Sequence, residues 1–399
     1  MKVAAQAASL DQGVTVFSLP AGQKWVAKHQ LAGYVEGRQF TDEVINQPFA
    51  AATRWRHTHR FEAKGQDTVI RDTIDARVPR KVLIPALTYR QNQLKQDLAF
   101  LATLPRTSPL TIAVTGSHGM VGTALCAQLG TAGHTVVRLV RGDAGPGERQ
   151  WDPHNPAPDL LEGVDAVAHL AGEPIFGRFS ADKKQKIRDS RVEPTRKLAH
   201  LAQRCGVGTF VSASAVGYYG TDAGGRAHLE NDGAGTGFLA EVCADWEEAA
   251  HVEGMRVVTI RTGLALSGAG GLLPVLRASV SAGLGARFGE GNFWMSWIAV
   301  DDLTDIYTRA LLDTTLNGPV NATAPNPVTN AEMSRTLARV LRRPAPFPIP
   351  PFGPKLLLGA EGARELALAD QKVAPGKITH FRYPTLESAL AHELGLEGR

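Results

Sequence analysis

The chain has 399 residues, 43% of them hydrophobic, and a formal net charge of +4. This length allows two or three domains with large cores. No apolar run approaches the roughly 18 residues of a membrane span, and residues 1–4 lead into no signal-peptide core, which excludes a membrane protein and predicts a cytoplasmic location. Three scattered cysteines exclude a disulfide framework and a Cys-x-x-Cys site, and we expect no metal.

The basic charge is confined to the front of the chain. Residues 1–110 hold 15 Lys and Arg against 9 Asp and Glu, which leaves 28 against 30 for residues 111–399. Because the excess is spread along predicted strands and forms no run, we interpret it as a solvated sheet face. An acidic partner is the alternative, and no nucleic-acid partner is expected.

Residues 1–104 have the pattern of an antiparallel β domain. Strands are predicted over residues 14–17, 24–29, 34–46, 53–61 and 68–78, and a helix over residues 89–104. Period-two alternation on strand 53–61 separates a buried aromatic face from a wet basic face. The buried face carries Trp55, His57, His59 and Phe61. We interpret the two histidines as core or edge imidazoles with a hydrogen-bond partner, and a ligand role is the alternative.

These strands and the long helix resemble the C-terminal half of START-like, or SRPBCC, helix-grip domains, which hold apolar ligands in a cavity. The resemblance covers roughly residues 10–104 and implies a partial α+β grip with an apolar ligand. Residues 105–110 contain two prolines and are predicted to be the linker. After them strands and helices alternate, which predicts a parallel sheet.

A glycine-rich turn follows the first strand of this second part. Residues 110–114 form a short apolar run typical of a parallel strand buried on both faces, and a four-residue apolar period then continues to Gly133. A pyrophosphate needs bare backbone at a helix N-terminus, so the turn predicts dinucleotide binding, with a turn that only packs as the alternative. Its residues are Gly116, Ser117, His118, Gly119, Met120, Val121 and Gly122.

Arg141 follows the second predicted strand, residues 134–140. An NAD-specific protein would place an acid close to this position, about 20 residues past the turn. A guanidinium pairs with a 2′-phosphate in a bidentate fork, whereas a carboxylate would repel it. The sequence therefore favours NADP as the cofactor, while Asp143 keeps NAD as the alternative.

Two further strands end in segments that we expect to face the cofactor, because open α/β sheets bind ligands at the carboxyl ends of their strands. The strand that starts at residue 164 delivers Leu170, Ala171 and Gly172. The strand that starts at residue 209 delivers hydroxyl groups at its end, and Tyr218 and Tyr219 follow. These hydroxyl groups belong to Ser212 and Ser214.

The Gly-x-x-Gly-x-x-Gly turn, His-Leu-Ala-Gly at residues 169–172 and Ser-Ala-Ser-Ala at residues 212–215 resemble an extended short-chain dehydrogenase/reductase of the NAD-dependent epimerase/dehydratase superfamily. Residues 190–195, 238–247, 295–303 and 321–330 resemble its atypical branch of epimerase family proteins, some of which are described as cell-division inhibitors. The resemblance implies a Rossmann-type doubly wound parallel sheet over residues 111–345. It also implies a small C-terminal lobe of unknown function over residues 346–399.

Active members of that superfamily use a tyrosine as acid/base with a lysine four residues later. No Tyr-x-x-x-Lys occurs in residues 237–243, and no lysine occurs between Lys197 and Lys355. Ser214 fits the hydroxyl that binds the substrate oxygen. Tyr218 is expected to line the substrate pocket, with a role as catalytic acid as the alternative. Asp301 or Asp302 is predicted to be a helix N-cap.

Two functions stay open at this point. The first is an NADP-dependent oxidoreductase or epimerase-like enzyme acting on an unidentified small substrate. The second is a protein that senses NADP(H) without turnover, with its front and C-terminal domains signalling to a partner. A weaker third function is a lipid-binding front domain that presents an apolar substrate to the cofactor. Residues 241–251 are expected either to pack in the core or to form an oligomer contact.

Overall fold

The computed structural model describes residues 2–6, 13–18, 23–350 and 352–397. The chain divides into two units, residues 1–88 and 89–399. Within the described ranges, every helix is too short or too polar to span a bilayer.

An antiparallel sheet of six strands in the order β1 to β6 forms the first unit. Its elements are β1 (Lys2–Gln6), β2 (Val14–Ser18), β3 (Lys24–Val35), β4 (Gln39–Val44), α1 (Phe49–Thr53), β5 (Arg56–Lys64), β6 (Asp67–Asp75) and the start of α2 (Arg80–Leu101). On β5, His57 and His59 are buried while Arg56 and Arg60 are exposed. This confirms the alternation predicted for the strand. The resemblance to a helix grip with an apolar ligand stays a prediction.

Two predicted element boundaries in this region are wrong. Residues 34–46 are predicted as one strand, but β3 ends at Val35 and β4 begins at Gln39. Gly37 lies between them with φ of +67°, a conformation that glycine adopts readily and that closes a hairpin turn. The helix predicted from residue 89 begins at Arg80 instead and contains Pro85. Pro85 is the sixth residue of this helix and cannot donate to the carbonyl of Lys81, yet the helix continues through it to Leu101.

The second unit alternates strands and helices, as predicted. Its elements are β7 (Thr111–Thr115), α3 (Met120–Thr131), β8 (Thr135–Val140), β9 (Glu148–Gln150), β10 (Ala166–His169), α4 (Ala181–Asp189), α5 (Val192–Arg204), β11 (Thr209–Ala215), a 3₁₀ turn (Val216–Tyr219), α6 (Phe238–Ala250), β12 (Arg256–Thr262), β13 (Leu264–Leu266), α7 (Leu273–Ser281), β14 (Trp294–Met295), β15 (Trp297–Ala299), α8 (Val300–Leu312), β16 (Gly318–Ala322), β17 (Val328–Thr329), α9 (Asn330–Leu341), α10 (Phe352–Gly362), a π turn (Ala363–Ala367) and α11 (Leu386–Glu393). Seven strands form one parallel sheet in the order β16-β12-β11-β10-β7-β8-β9. The predicted Rossmann-type sheet is confirmed.

Helices cover both faces of this parallel sheet. Ile112 of β7 lies in a buried cluster with Leu125 of α3 and Leu303 of α8, whereas the adjacent Ala113 lies in a second cluster with Leu198 of α5. Successive side chains of a strand point to opposite faces, so β7 contributes apolar side chains to the cores on both faces, and the buried Thr115 follows at its carboxyl end. The chain continues from β7 to β8 on one side and crosses to β10 on the other. This arrangement opens a crevice at the carboxyl ends of β7 and β10.

Buried polar side chains attach the C-terminal segment to the body of the second unit. The Glu230 carboxylate accepts the backbone N–H groups of Asn321 and Gly376, each at 3.1 Å. The Arg382 guanidinium donates to Asp305 at 2.6 Å and lies 2.8 Å from Asp97. Because an unpaired buried charge is costly, these contacts fix the position of the segment.

The prediction that Asp301 or Asp302 caps a helix is wrong. Helix α8 begins at Val300, with Ala299 as its cap residue. The Asp301 carboxylate instead lies 2.7 Å from Nε2 of His392, and Asp302 accepts the backbone N–H of Arg382 at 2.6 Å. The two carboxylates therefore bind residues that are far away in sequence and do not cap the helix.

Replacing Arg382 by leucine tests this attachment. The side chain is 7% exposed, so its removal leaves two buried carboxylates without their cation. We expect the free energy of unfolding, measured by urea denaturation, to fall by about 3 kcal/mol or more. The matched control is Arg339→Leu, which breaks a pair with Glu387 whose side chains are 63% and 57% exposed. That change should cost less than about 1 kcal/mol. Equal losses in the two variants would contradict the attachment role.

Candidate functional site

The glycine turn between β7 and α3 leaves little or no room for a side chain at its three glycines. A Cβ on Gly122 would lie 2.2 Å from the carbonyl oxygen of Gly116, and one on Gly119 would lie 3.1 Å from the same oxygen. Gly116 has φ of +63°, and a Cβ there would lie 2.9 Å from the carbonyl of Leu170. The turn therefore packs directly against the segment after β10. Helix α3 begins immediately after it, so the free N–H groups and the positive end of the helix dipole lie at this edge of the sheet.

A buried histidine fixes the two segments relative to each other. Nδ1 of His169 lies 2.8 Å from Oγ1 of Thr115, and that oxygen also accepts the backbone N–H groups of Leu170 and Ala171 at 3.0 and 3.1 Å. Since both lone pairs of the Thr115 hydroxyl are used, its proton points to Nδ1 of His169. The ring proton of His169 is therefore on Nε2, which lies 2.9 Å from Oγ1 of Thr195.

The His169 ring stays neutral because burial lowers its pKa to about 3. The Thr195 hydroxyl also accepts Nε1–H of Trp246 at 2.9 Å. This chain of hydrogen bonds connects β7, β10, α5 and α6. His169 is therefore an uncharged residue that holds these four elements together behind the glycine turn.

The other residues predicted to bind the cofactor lie on neighbouring strand ends. Ser212 of β11 is the parallel-sheet partner of His169 and is buried. Gly172 faces Arg191, whose guanidinium carbon would lie 3.2 Å from a Cβ at that position. Arg141 is exposed and directly follows β8. His118 is exposed, with Nε2 at 3.3 Å from the Glu148 carboxylate. The structure therefore gathers the turn, residues 170–172 and Ser212 at one edge of the sheet, with Arg141 after the adjacent strand.

Ser214 lies in a charged cluster at the end of β11. It is the parallel-sheet partner of Arg261 on β12, and its hydroxyl donates to the Glu247 carboxylate at 2.6 Å. Arg261 donates two hydrogen bonds to Glu247, each 2.8 Å long. Burial by itself would lower the pKa of Arg261, but the hydrogen bonds to Glu247 raise it, so the guanidinium stays charged. A buried bidentate ion pair therefore holds Ser214.

Both tyrosines after β11 contact the same guanidinium. The carbon of the Arg261 guanidinium lies 3.5 Å from the centre of the Tyr218 ring, and its Nη1 donates to the Tyr219 hydroxyl at 2.8 Å. Burial raises the pKa of Tyr219, and its hydroxyl also contacts Asn321 at 2.8 Å. Within the described part of the chain, the Tyr218 hydroxyl makes no hydrogen bond. Of the two phenols, Tyr218 is the one available to a ligand.

Comparison with known proteins identifies the family. The model of the NAD dependent epimerase/dehydratase family matches residues 112–322, and a domain of unknown function, DUF1731, matches residues 349–393. Epimerase family protein MT2273 of Mycobacterium tuberculosis is 43% identical over 292 residues, which span 70% of this chain and 96% of the relative. The chain belongs to the NAD dependent epimerase/dehydratase family.

Solved structures of epimerase family proteins share this architecture. The crystal structure of the nucleoside-diphosphate sugar epimerase from Corynebacterium glutamicum has a TM-score of 0.84 and 47% identity, and the match covers 99% of this chain and 82% of that one. Human epimerase family protein SDR39U1 (isoform 2), solved with NADPH, has a TM-score of 0.66 and 29% identity, and the match covers 73% of this chain and 100% of that one. The predicted extended short-chain dehydrogenase/reductase with its own C-terminal domain is confirmed.

Helix α6 of this family member carries no cation at the positions expected for a Tyr-x-x-x-Lys motif. A Cβ on Gly217 would lie 3.6 Å from Cβ of Leu239 and 3.7 Å from Sγ of Cys243, so α6 packs closely under the 3₁₀ turn. Burial raises the pKa of the Cys243 thiol to about 12, which keeps it neutral. The positive charge beside Ser214 comes from Arg261 on β12 instead.

Sequence reasoning missed Glu247 and Arg261, because it searched for a lysine on the helix. A signal was present in the strand, since Arg261 directly follows the apolar residues Val257, Val258 and Ile260. Charged residues are rarely buried without a partner, so an arginine inside a central strand predicts a buried carboxylate nearby. The identity of that carboxylate depends on how α6 packs on the sheet.

The pH dependence of stability tests the role of His169. Its folded pKa of about 3 lies below the unfolded value, so its contribution to stability is complete above about pH 6.5 and is lost as the pH falls. Between pH 7.5 and pH 5, the wild type should lose about 2 kcal/mol of unfolding free energy relative to the non-titrating variant His169→Gln. Urea denaturation at a series of pH values measures this difference.

The control is His200→Gln, which replaces an exposed histidine on α5. This variant should follow the wild-type pH dependence throughout the range. A constant difference in stability between wild type and His169→Gln would contradict the prediction, because it would mean that His169 has the same pKa in the folded and unfolded states.

Proposed function

We propose that this chain is an NADP(H)-binding oxidoreductase or epimerase-like protein that acts on a small polar or sugar-nucleotide-like substrate. The main support is the combination of a glycine cradle with two hydroxyl-bearing residues arranged around one buried ion pair. The name of the Corynebacterium glutamicum relative supports the substrate class, and the NADPH in human SDR39U1 supports the cofactor.

The cofactor pyrophosphate would lie against the turn of residues 116–122, where each glycine leaves the backbone bare and α3 supplies free N–H groups. The buried Oγ of Ser117 has no hydrogen-bond partner among the described residues, which fits a polar ligand at this position. Residues 170–172 and Ser212 would line the same crevice. When bound, NADP(H) would supply or accept a hydride. Arg141 would pair with the 2′-phosphate.

Substrate chemistry would use Ser214 and Tyr218. Ser214 would bind the substrate oxygen, while Glu247 and Arg261 hold its side chain in place. Tyr218 would supply or remove the proton, because its hydroxyl is not engaged and its ring is held by the Arg261 guanidinium at 3.5 Å. A hydroxyl acid of this kind accelerates proton transfer by about 100-fold or more.

Sensing of NADP(H) without turnover is the second candidate function. It is favoured by the hydrogen bond from Ser214 to Glu247, which commits the hydroxyl proton to an internal partner. It is also favoured by the lack of a Tyr-x-x-x-Lys motif on α6. In this case the first unit and the C-terminal segment would report the cofactor state to a partner.

Replacing Arg141 by alanine tests the cofactor assignment. The wild type should bind NADPH more tightly than NADH in a fluorescence titration, and the variant should lose about 10- to 100-fold in NADPH affinity because a charge-assisted phosphate pair is removed. NADH affinity should not change. Arg196→Ala, which removes a surface arginine paired with Glu193, should leave both affinities unchanged. Equal binding of NADH and NADPH by wild type and Arg141→Ala would contradict the phosphate role.

Replacing Tyr218 by phenylalanine tests the chemistry, because the ring keeps its contact with Arg261 and only the hydroxyl is lost. We expect stopped-flow oxidation of bound NADPH, measured with a panel of carbonyl compounds and UDP-sugars, to slow by about 100-fold or more. NADPH affinity should stay unchanged. Ser214→Ala should also slow turnover, since it removes the group that binds the substrate oxygen.

The control for this series is Tyr34→Phe, which alters a partly exposed tyrosine of the first unit. It should retain the wild-type rate. Unchanged turnover in Tyr218→Phe would exclude the phenol as the acid. Tight NADPH binding with no turnover by the wild type on any compound would favour sensing.

A further inference from the structure

Four ionisable side chains meet on one face of the antiparallel sheet in the first unit. Asp42 of β4 is the cross-strand partner of His57 on β5, and His59 of β5 is the partner of Asp72 on β6. Cross-strand partners share a face, and residues two apart on a strand also share it. Each of the four side chains is at most 15% exposed. The cluster is therefore largely shielded from water.

Each histidine ring lies between the two carboxylates. On one side, Oδ1 of Asp72 lies 3.2 Å from Nε2 of His57 and 2.7 Å from Nδ1 of His59. On the other side, Oδ1 of Asp42 lies 3.9 Å from Nδ1 of His57 and 3.3 Å from Nε2 of His59. Four ring nitrogens thus face carboxylate oxygens, which only accept hydrogen bonds when ionised.

Protons on the two rings leave part of this arrangement unsatisfied, because fewer than four N–H groups are present unless both rings are charged. Two neutral rings carry one N–H each, so two bare nitrogens would face a carboxylate. Two protonated rings would put like charges side by side, because the ring centres of His57 and His59 are only 3.9 Å apart. With both N–H groups turned to Asp72, three electron-pair donors converge on the opposite side. One ligand atom from each of Asp42, His57 and His59 lies within 4.8 Å of the other two.

We propose that Asp42, His57 and His59 bind a divalent transition-metal ion, with Asp72 as the outer carboxylate that orients both rings. Ligands at about 2.0 to 2.2 Å from a tetrahedral ion are about 3.4 Å from each other. The separations of 3.3 and 3.9 Å from Asp42 are close to this value, whereas 2.7 Å at Asp72 is too short for two ligands of one ion. The metal side is therefore assigned to Asp42.

The donor set narrows the choice of metal. Two imidazoles and one carboxylate suit Zn²⁺ and related first-row ions, and they leave a further coordination position. A carboxylate behind a metal-bound histidine fixes the ring and its tautomer, and Nε2 of His57 is within hydrogen-bond distance of Asp72 in this way. The proposed site differs from the expectation from sequence that the chain holds no metal, and it is independent of the proposed NADP(H) chemistry.

A nearby histidine adds a further nitrogen to the same face. His29 of β3 is the cross-strand partner of Asp42. Its Nδ1 is buried and has no hydrogen-bond partner among the described residues. This face of the sheet, in a unit that resembles helix-grip domains for apolar ligands, therefore carries five ionisable groups.

The test is metal binding by the untagged full-length protein, first stripped with a chelator and then dialysed against Zn²⁺ or Co²⁺. We expect one equivalent of Zn²⁺ per chain by elemental analysis, and visible absorption bands from the Co²⁺ form that indicate coordination by nitrogen and oxygen. His59→Gln and Asp42→Asn should each lower Zn²⁺ affinity by more than about 100-fold, and Asp72→Asn by about 10- to 100-fold. His200→Gln should bind as the wild type does.

The wild-type measurements decide the proposal even if a variant fails to fold, and circular dichroism identifies such a variant. Substoichiometric Zn²⁺ together with no Co²⁺ bands at micromolar metal would overturn it. The cluster would then hold protons between histidines and carboxylates, in a packing like that of His392 between Asp301 and Glu397. Undiminished Zn²⁺ binding by folded His59→Gln would overturn it as well.

Discussion

The ion pair between Arg261 and Glu247 constrains the end of the second unit to which we assign the substrate. A guanidinium in the middle of a parallel sheet is stable only when a carboxylate reaches it, so the pair fixes how α6 packs against β11 and β12. The remaining donors of the arginine hold the tyrosines that follow β11, and the carboxylate accepts the Ser214 hydroxyl. One buried charge therefore orients every polar group that we assign to substrate chemistry.

At the end of the sheet to which we assign the cofactor, the supporting hydrogen bonds involve no ion pair. The hydrogen bonds behind the glycine turn bury no charge, because His169 is neutral and both of its ring nitrogens are matched by threonine hydroxyl groups. The glycines allow the turn to press against the backbone after β10, where side chains would collide. Behind the glycine turn the support is uncharged, and the positive features at this edge are the N-terminus of α3, Arg141 and the Arg191 guanidinium beside Gly172. Neutral hydrogen bonds therefore position the residues at one end of the crevice, whereas a buried ion pair positions them at the other.

The first unit uses its sheet in a different way. The parallel sheet of the second unit buries apolar side chains on both faces, whereas the antiparallel sheet buries two histidines and two carboxylates on one face. Buried polar groups contribute to stability only when they are matched, so these four side chains depend on their hydrogen-bond and ion-pair partners. A bound cation would convert these mutual acceptors into ligands and would tie three adjacent strands together.

The sequence by itself determined the local features: the glycine turn, the alternation on β5, the parallel sheet and the family to which the chain belongs. Each follows from residue spacing, because period two, period 3.6 and bare backbone are properties of short segments. Tertiary structure alone decided which distant residues meet. Glu247 pairs with Arg261. Asp301 contacts His392 and Asp302 contacts the backbone of Arg382, so neither caps a helix. Asp42 and Asp72 contact the two histidines of β5. A buried charge requires a partner, but only the packing of helices and strands selects it.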